Sequence, residues 1–274
     1  MTINKNTIDR LNSRYGNWAL VTGATSGIGK AISYQLAEAG FNLVITGRRA
    51  MLLNTIATEL TDRFSIDVLE VSGDLSNEED LHNLTEKTDE LPIGIVILNA
   101  GFGTSGKLMN ADISTELNLI DLNCKAVLLL SHHFVNQMGA DSRKGASRKG
   151  AIVLLSSMVS FQGVPNAANY AASKAYVQTL GEAMSRELKP EGIDVLCAAP
   201  GPVGTEFADR ANMRMGSTMK AETIAAEIIR SIGRKTTVLP GFLTKFLVFN
   251  LRLLPRWGKI RVMEKVMSGF TSHQ

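Results

Sequence analysis

A short apolar strand that runs directly into a glycine turn and a helix restricts the fold of this chain more than any other feature. Trp18–Thr22 has the composition of a buried strand, and residues 30–39 have the pattern of an amphipathic helix. Between them lies T-G-A-T-S-G-I-G, with glycines at positions 23, 27 and 29. Glycines let the backbone turn tightly and approach a pyrophosphate, while the start of the helix offers free N–H groups to an anion. This order predicts a dinucleotide-binding α/β fold.

The composition is that of one well-packed α/β domain of the larger kind. The chain has 274 residues, of which 45% are hydrophobic and 20% charged, which is enough to bury a sizeable core. The net charge of +3 arises from 29 basic and 26 acidic residues. We expect no nucleic-acid partner, because such proteins concentrate basic residues on one face.

Cysteine usage and hydropathy favour a cytoplasmic protein. Cys124 and Cys197 stand in a helix-like and a strand-like segment, so we expect two core thiols in a reducing compartment. His132 and His133 have no further ligand at metal-binding spacing, and we expect no metal site. The first ten residues contain no apolar signal segment, and no stretch reaches the roughly 20 apolar residues of a membrane span.

Chemically useful residues recur where the predicted strands end. Further candidate strands at 42–46, 65–71, 93–99, 151–155, 193–198 and 236–239 alternate with helical patterns. Five strand ends carry a motif: Gly23 to Gly29, Gly47-Arg48, Asp74, Asn99 to Gly101, and Ser157. Open α/β sheets bind ligands beyond the carboxyl ends of their strands. The agreement among five strands therefore predicts a single binding cleft at this edge.

Three residues between positions 157 and 174 form a candidate proton-transfer group. Tyr170 follows Ser157 by thirteen residues, and Lys174 follows Tyr170 by four. On a helix, the tyrosine and the lysine leave the same face. A phenol has a reference pKa of about 10, and a neighbouring ammonium group lowers it. With Ser157 as a second hydrogen-bond partner, the trio suits an alcohol or carbonyl substrate.

The T-G-x3-G-x-G turn and the S-x12-Y-x3-K pattern together resemble the short-chain dehydrogenase/reductase family over residues 17–239. The resemblance implies one doubly wound, Rossmann-like domain with a mostly parallel seven-stranded sheet. A polar arm at 1–16 precedes this domain, and an extension at 240–274 follows it. Within the family, the chain looks most similar to NADP-dependent ketoreductases and to hydroxysteroid or acyl-chain dehydrogenases. The implied reaction transfers a hydride between the nicotinamide and a carbonyl or alcohol.

The resemblance also implies catalytic roles. Tyr170 would exchange a proton with the substrate oxygen, and Ser157 would hydrogen-bond to that oxygen. Lys174 would lower the tyrosine pKa and hold the nicotinamide ribose. Asn123 would be the fourth catalytic residue, bending the long helix predicted at 116–139 and holding a water beside the lysine. The alternative for Asn123 is a surface asparagine.

By the same resemblance, the cofactor site draws on every motif along the strand ends. Asn99 would tie backbone segments together behind the cofactor, and Gly101 would leave room for its adenosine side. Asp74 would contact the adenine, or else serve only as a turn residue. The implied cofactor-binding set is Gly23, Thr25, Ser26, Gly27, Ile28, Gly29, Arg48, Arg49, Asp74, Leu75, Asn99, Ala100, Gly101, Tyr170, Lys174, Pro200, Gly201, Val203 and Thr205.

The end of the second strand favours NADP(H) over NAD(H). An acidic residue there would bind the adenosine ribose of NAD, but Gly47 occupies the place and Arg48 and Arg49 follow. A guanidinium can hold a 2′-phosphate, which a carboxylate would repel. Arg48 is the first candidate, and Arg49 either assists or merely starts the next helix. Ser26 stands where many NADP-dependent relatives carry a further basic residue.

The remaining segments leave alternatives open. The extension at 240–274 is apolar and studded with basic residues, so it could cap an apolar substrate pocket, pack on another subunit, or contact an anionic membrane surface. Residues 206–219 are expected to form a lid, and residues 141–150 a basic loop. Family members often pair through the helices that carry Asn123 and Tyr170, which implies a homodimer or homotetramer.

Two other functions compete with a dehydrogenase. A non-catalytic NADP(H)-binding redox sensor would keep the cofactor fold, but it would have little reason to keep all four catalytic residues. A nucleotide-sugar epimerase or dehydratase would share the tyrosine and lysine. Such enzymes usually have a differently spaced glycine turn and a longer substrate domain than this length allows.

Overall fold

The strands of the sheet lie between residues 18 and 238. The computed structural model describes residues 3–143, 149–211 and 218–271. The strands are β1 (Trp18–Thr22), β2 (Asn42–Gly47), β3 (Val68–Ser72), β4 (Ile93–Leu98), β5 (Gly150–Leu155), β6 (Ile193–Ala198) and β7 (Thr237–Val238). Across the described residues they form one seven-stranded sheet in the order β3-β2-β1-β4-β5-β6-β7, and every pairing is parallel. The predicted doubly wound fold is confirmed.

Helices cover both faces of the sheet. They are α1 (Lys5–Tyr15), α2 (Gly27–Glu38), α3 (Ala50–Phe64), α4 (Glu78–Thr88), α5 (Ile113–Ile120), α6 (Ala126–Arg143), α7 (Ala168–Glu187), α8 (Glu206–Arg210), α9 (Ala221–Ser231), α10 (Phe242–Arg252) and α11 (Arg256–Thr271). Alternate strand residues enter different cores, because successive side chains in a strand point to opposite faces. Ala19 and Val21 pack with α1, α2, α3 and α9, whereas Leu20 packs with α4, α6 and α7.

Three element boundaries differ from the sequence-based expectation. The third strand begins at Val68 and not at 65, because Ser65 caps α3 in the left-handed conformation with φ 54°. The last strand has two residues instead of four. The long helix predicted at 116–139 is divided into α5 and α6 by a π-helical turn, Asp121–Lys125. Of the loop predicted at 141–150, residues 144–148 lie outside the described residues, while the backbone of 141–143 belongs to α6 and Gly150 starts β5. Residues 212–217 of the predicted lid also lie outside the described residues.

The N-terminal arm is part of the folded core. Tyr15 is fully buried and its hydroxyl donates to Asp194 Oδ2 at 2.8 Å, while Arg14 forms an ion pair with the same carboxylate at 2.6 Å. Gly94 allows this contact, since a Cβ there would lie 1.6 Å from the backbone oxygen of Tyr15. The arm thereby joins β4 to β6 at the end of the sheet away from the predicted cleft.

The C-terminal extension is a helical pair, α10 followed by α11. Leu251, Met263 and Met267 join a small third apolar cluster with residues at the start of α7, including Ala167 and Ala171. The extension therefore packs against the helix that carries Tyr170 and Lys174. Among the helices of the described residues, none is long and apolar enough to cross a lipid bilayer.

Candidate active site

A cleft of about 610 Å³ opens beyond the carboxyl ends of the strands. Nearly all of the predicted site residues lie in the wall of this cleft, although they come from the ends of six separate strands and from α7. Gly29 and Asn123 are the exceptions, and both lie directly behind the wall. The predicted residues that line the cleft are Gly23, Thr25, Ser26, Gly27, Ile28, Arg48, Arg49, Asp74, Leu75, Asn99, Ala100, Gly101, Ser157, Tyr170, Lys174, Pro200, Gly201, Val203 and Thr205.

The glycine turn leaves the start of α2 open to the cleft. Gly23 and Gly27 have positive φ angles of 69° and 56°, which glycine adopts without strain. Ser26 is the N-cap, but its side chain makes no capping hydrogen bond. The first N–H groups of a helix have no partner within the helix. Here they face a cavity, as a diphosphate would require.

Two residues hold the turn from behind. A Cβ on Gly29 would lie 2.3 Å from the backbone oxygen of Gly23, so the helix can approach the strand only with glycine there. The amide of Asn99 donates to the backbone oxygens of Thr22 at 2.9 Å and Gly23 at 3.2 Å. Asn99 thus links the ends of β1 and β4, in the way that the sequence suggested.

Arg48 and Asp74 face each other at the far end of the cleft. The Arg48 guanidinium lies 3.5 Å from Asp74 Oδ2, and its side chain is 52% exposed. Asp74 Oδ1 accepts hydrogen bonds from the backbone and hydroxyl of Ser76. Burial alone would raise the pKa of Asp74, but these bonds and the Arg48 charge hold it below its usual value. Asp74 is therefore a turn residue as well as part of the wall.

Arg49 reaches back over the glycine turn. It is the N-cap of α3, yet its side chain donates to the backbone oxygen and hydroxyl of Thr25 at 3.1 and 3.2 Å. It also forms an ion pair with Glu206 on α8 at 3.1 Å. Glu206 binds Arg210 as well, at 2.6 Å. Both of the predicted arginines thus border the cleft, with Arg48 the more exposed of the two.

The side chain of Tyr170 is buried at the wall of the cleft. Burial raises the pKa of its phenol to about 12, and a hydrogen bond with Ser157 opposes this increase. The net shift is thus opposite to the lowering expected from the neighbouring Lys174, because desolvation dominates. The phenol is consequently a proton donor at neutral pH. Its ring also contacts Phe207, with ring centroids 5.6 Å apart.

Lys174 is a buried ammonium without a carboxylate partner. Its Nζ donates to the backbone oxygen of Leu155 at 2.8 Å. Burial lowers the pKa of Lys174 to about 8. No acidic side chain in the described parts of the chain forms an ion pair with it. Such a group gains from an added hydrogen-bond acceptor in the cleft, for example a sugar hydroxyl.

The two neighbouring serines differ in their partners. Ser156 donates to the backbone oxygen of Lys174 at 3.1 Å and so fixes the end of β5 to α7. Ser157 accepts from the backbone of Val159 and is hydrogen-bonded to Tyr170. Ser156 therefore has a structural role, whereas Ser157, the serine predicted from the thirteen-residue spacing, is the partner of Tyr170.

Asn123 is fully buried in the π-helical turn, so the surface alternative is wrong. Its amide donates to the backbone oxygen of Phe102 at 2.9 Å and to the hydroxyl of Ser173 at 3.1 Å, and its Oδ1 accepts from the backbone N–H of Phe102. A Cβ on Gly101 would lie 2.8 Å from Asn123 Oδ1 and 3.4 Å from Lys174 Nζ. Gly101 thus leaves room for Asn123 and Lys174, and it also lines the cleft.

The loop after β6 closes one wall of the cleft. The backbone oxygen of Pro200 accepts from the N–H of Met158 at 3.0 Å, which ties this loop to the end of β5. Thr205 lies against the glycine turn, since a Cβ on Gly27 would be 3.1 Å from its Cγ2. Gly201 meets α10, because a Cβ there would lie 2.5 Å from Thr244 Oγ1. The predicted cofactor loop is therefore in contact with the C-terminal extension.

One end of the cleft is apolar, and sequence reasoning missed most of its residues. Its side chains come from distant segments that no local motif marks. The signals were the general apolar character of the extension and the lid expected at 206–219, which contains Phe207 and Arg210. The additional lining residues include Phe102, Leu122, Met158, Val159, Ala167, Phe207, Arg210, Leu247, Met263, Val266 and Met267. Of the three alternatives for the extension, a pocket wall is the one observed within the described residues.

Comparisons with known proteins agree with this geometry. The family model for short chain dehydrogenase matches residues 17–216. Mouse 17-beta-hydroxysteroid dehydrogenase type 3 is 34% identical over 77% of this chain and 71% of its own length. A structure from work on 7beta-hydroxysteroid dehydrogenase stereoselectivity has a TM-score of 0.83 and 26% identity, covering 92% of this chain and 98% of that one. A short-chain dehydrogenase from Sphingobium yanoikuyae, solved with NADPH, has a TM-score of 0.76 and 26% identity over 85% and 92% of the chains.

The fold and the cleft define a Rossmann-type enzyme that binds a pyridine nucleotide. The chain belongs to the short-chain dehydrogenase family. It is an oxidoreductase that acts on a small-molecule substrate.

Proposed function

We propose that this protein is an NADP(H)-dependent oxidoreductase that interconverts a bulky apolar ketone and its alcohol. The observation that carries the proposal is the position of Tyr170 and Ser157 between the two ends of one cleft. One end has the open helix start and two arginines, and the other is lined by apolar side chains of α10 and α11. The named hydroxysteroid dehydrogenases among its relatives support a substrate of this size.

Arg48 supports the choice of NADP(H). It follows β2 directly, where Gly47 stands in place of a ribose-binding carboxylate. It is half-exposed at the cleft, and its one ion pair in the described structure, with Asp74, is long at 3.5 Å. A 2′-phosphate can therefore displace or share this contact. Arg49 is held by Thr25 and Glu206, so we assign it the smaller part.

Tyr170 and Ser157 carry the proton chemistry in this mechanism. The bound nicotinamide supplies the hydride in reduction and accepts it in oxidation. In reduction, Tyr170 Oη donates its proton to the oxygen that becomes the alkoxide. Ser157 Oγ donates a hydrogen bond to the same oxygen, which stabilises the charge that develops there. In oxidation the same groups act in reverse, with the phenolate of Tyr170 as the base.

Lys174 and Asn123 prepare the site for this step. Lys174 would hold the nicotinamide ribose, and its charge would stabilise the phenolate when Tyr170 has lost its proton. Asn123 is a positioning residue, since its amide joins the backbone at Phe102, in the loop after β4, to Ser173, which precedes Lys174 in the chain. A water between the π-helical turn and Lys174 would return the proton from solvent.

A separate apolar face supports a homodimer or homotetramer. Ile113 and Leu117 on α5, and Leu128 and Leu129 on α6, are 44–68% exposed. Burying them against another copy would stabilise an oligomer. The free thiols of Cys124 and Cys197 support a reducing, cytoplasmic location.

The direct test is the rate of NADPH oxidation across ketones of increasing size, with NADH in parallel. We expect kcat/KM to be higher with NADPH and to rise with apolar bulk. Met263→Ala should extend the range to larger ketones, whereas Met109→Ala, at an exposed position, should not. A preference for NADH would refute the arginine assignment. Rates that do not depend on the size of the ketone would refute the assignment of the apolar end as the substrate site. No turnover with any ketone would refute the proposed substrate class.

A further inference from the structure

The helix α10 is apolar on a face that no other part of the described structure covers. Its inner face consists of Thr244, Val248 and Leu251, which are buried. On a helix of 100° per residue, Phe242, Phe246, Phe249 and Leu253 lie directly opposite. Phe242 is 82% exposed, Phe249 63% and Leu253 72%. A contiguous exposed apolar stripe of this kind marks an interaction surface, so we expect it to have a partner.

The apolar stripe continues into the start of α11. Trp257 is 64% exposed, and the Arg261 guanidinium lies over its ring at 5.2 Å. Together, Phe242, Phe246, Phe249, Leu253 and Trp257 form what we call the aromatic stripe. Phe and Trp side chains flanked by basic groups are typical of helices that lie at a membrane interface.

The charge of the C-terminal extension is predominantly positive. Residues 240–274 contain six Lys or Arg and one Glu, whereas the rest of the chain contains 23 basic and 25 acidic residues. The extension is thus +5, and the remainder is −2. Lys245 is paired with Glu227, but no acidic side chain of the described residues pairs with Arg252, Arg256 or Lys265. A partner that matches this surface is apolar and negatively charged.

We propose that the α10–α11 pair docks on an anionic lipid surface and opens the apolar end of the cleft towards it. The same two helices carry the aromatic stripe and line the cleft. Leu247 and Val266 belong to the cleft wall and are also 36% and 40% exposed. An apolar ketone that partitions into lipid would therefore meet the cleft at the docked face. The substrate part of this inference rests on the proposed function, but the docking does not.

A second copy of the chain is the competing occupant, and the charges argue against it. Two such faces brought together would place Arg252, Arg256 and Lys265 of both copies near each other without acidic partners. The exposed α5–α6 face, in contrast, has residues of both signs close by in sequence, Asp112, Asp121 and Lys125, and no such excess of positive charge. That face suits self-association better.

The test is sedimentation of the full-length protein with vesicles of phosphatidylcholine, alone or with 30% phosphatidylserine. We expect binding to the anionic vesicles, little binding to the neutral ones, and release by high salt. Replacing Arg252, Arg256 and Lys265 by Gln should weaken binding about 100-fold, from the usual effect of one basic residue near an anionic surface. Phe246→Ser with Phe249→Ser should also weaken it.

Controls separate docking from folding, catalysis and self-association. Met51→Ser, on α3 and at an 88% exposed position, should bind vesicles as the wild type does. All of these variants should keep their thermal midpoint and their turnover of a small water-soluble ketone, which reports on the proposed function independently. Equal binding to neutral and anionic vesicles, or no binding, would overturn the proposal. So would conversion of an oligomer to monomers by the Phe246 and Phe249 changes in light scattering.

Discussion

At the scale of single residues, burial decides the chemistry. Tyr170 and Lys174 both lose hydration, and their pKa values move towards the neutral forms, to about 12 and about 8. The sequence predicted which residues meet, because their spacing fixes one helical face. It could not predict the pKa values, because these depend on how tightly Phe207, the end of β5 and the extension enclose the two side chains.

The pKa of Lys174 predicts a pH dependence with a definite sign. The ammonium is charged below about pH 8 and neutral above it, so ribose binding should weaken as pH rises. We expect kcat/KM for NADPH in reduction to be flat below pH 8 and to fall above it, since this ratio reports on the free enzyme. The kcat for oxidation, measured with saturating cofactor, should instead increase with pH, because it needs the phenolate of Tyr170.

NADPH binding, measured by fluorescence over the same pH range, checks this prediction without turnover. Lys174→Arg keeps its charge over the whole range, so its binding should lose the step near pH 8. A wild-type affinity for NADPH that stays constant up to about pH 10 would contradict the assignment of Lys174 as the ribose-binding residue.

Arg48 predicts the cofactor preference. Arg48→Ala should lower kcat/KM with NADPH about 10- to 100-fold, the usual effect of a lost charged hydrogen bond, and leave NADH nearly unchanged. Steady-state kinetics with both cofactors measure this ratio. Arg63→Ala, in the last turn of α3 and outside the cleft, is the control. An equal decrease in kcat/KM with both cofactors would show that Arg48 does not bind the 2′-phosphate.

At the scale of elements, local motifs predicted the strand ends well and the distant contacts poorly. The glycine turn and Asn99 could be placed because both belong to one strand–turn–helix pattern. The family resemblance implied a bend in the helix at Asn123, but the π-helical form of this turn could not be predicted, since nothing local distinguishes it from the α-helix on either side. The arm at 1–16 looked polar, yet Leu11 and Tyr15 are fully buried. Its role depends on Gly94 and Asp194, which are far away in sequence.

The buried arm predicts a graded loss of stability. Tyr15→Phe removes one buried hydrogen bond to Asp194 and should cost about 1 kcal/mol of unfolding free energy. Tyr15→Ala also leaves a cavity and should cost about 3–5 kcal/mol. Urea unfolding measures both, with Tyr176→Phe, which is 39% exposed, as the unchanged control. A Tyr15→Ala protein as stable as the wild type would mean that α1 is not part of the core.

At the scale of the whole molecule, the cleft has two ends of different origin. The cofactor end is built from strand ends in the matched family region, residues 17–216. The apolar end depends on α10 and α11, which lie beyond it and pack on α7 through Met263 and Met267. The sequence left the role of this extension open among three alternatives. Which of them applies depends on tertiary packing against Ala167 and Ala171, for which the extension carries no local pattern.

The most direct measurement of the central claim is turnover and NADPH binding by Tyr170→Phe on one ketone that the wild type reduces. The variant keeps the ring packed on Phe207 but lacks the proton that the substrate oxygen must receive. We expect kcat to fall at least 1,000-fold, within the range of general acid catalysis, while the Kd for NADPH changes less than about threefold. Turnover near the wild-type rate would contradict the account, because the proton would then come from another group.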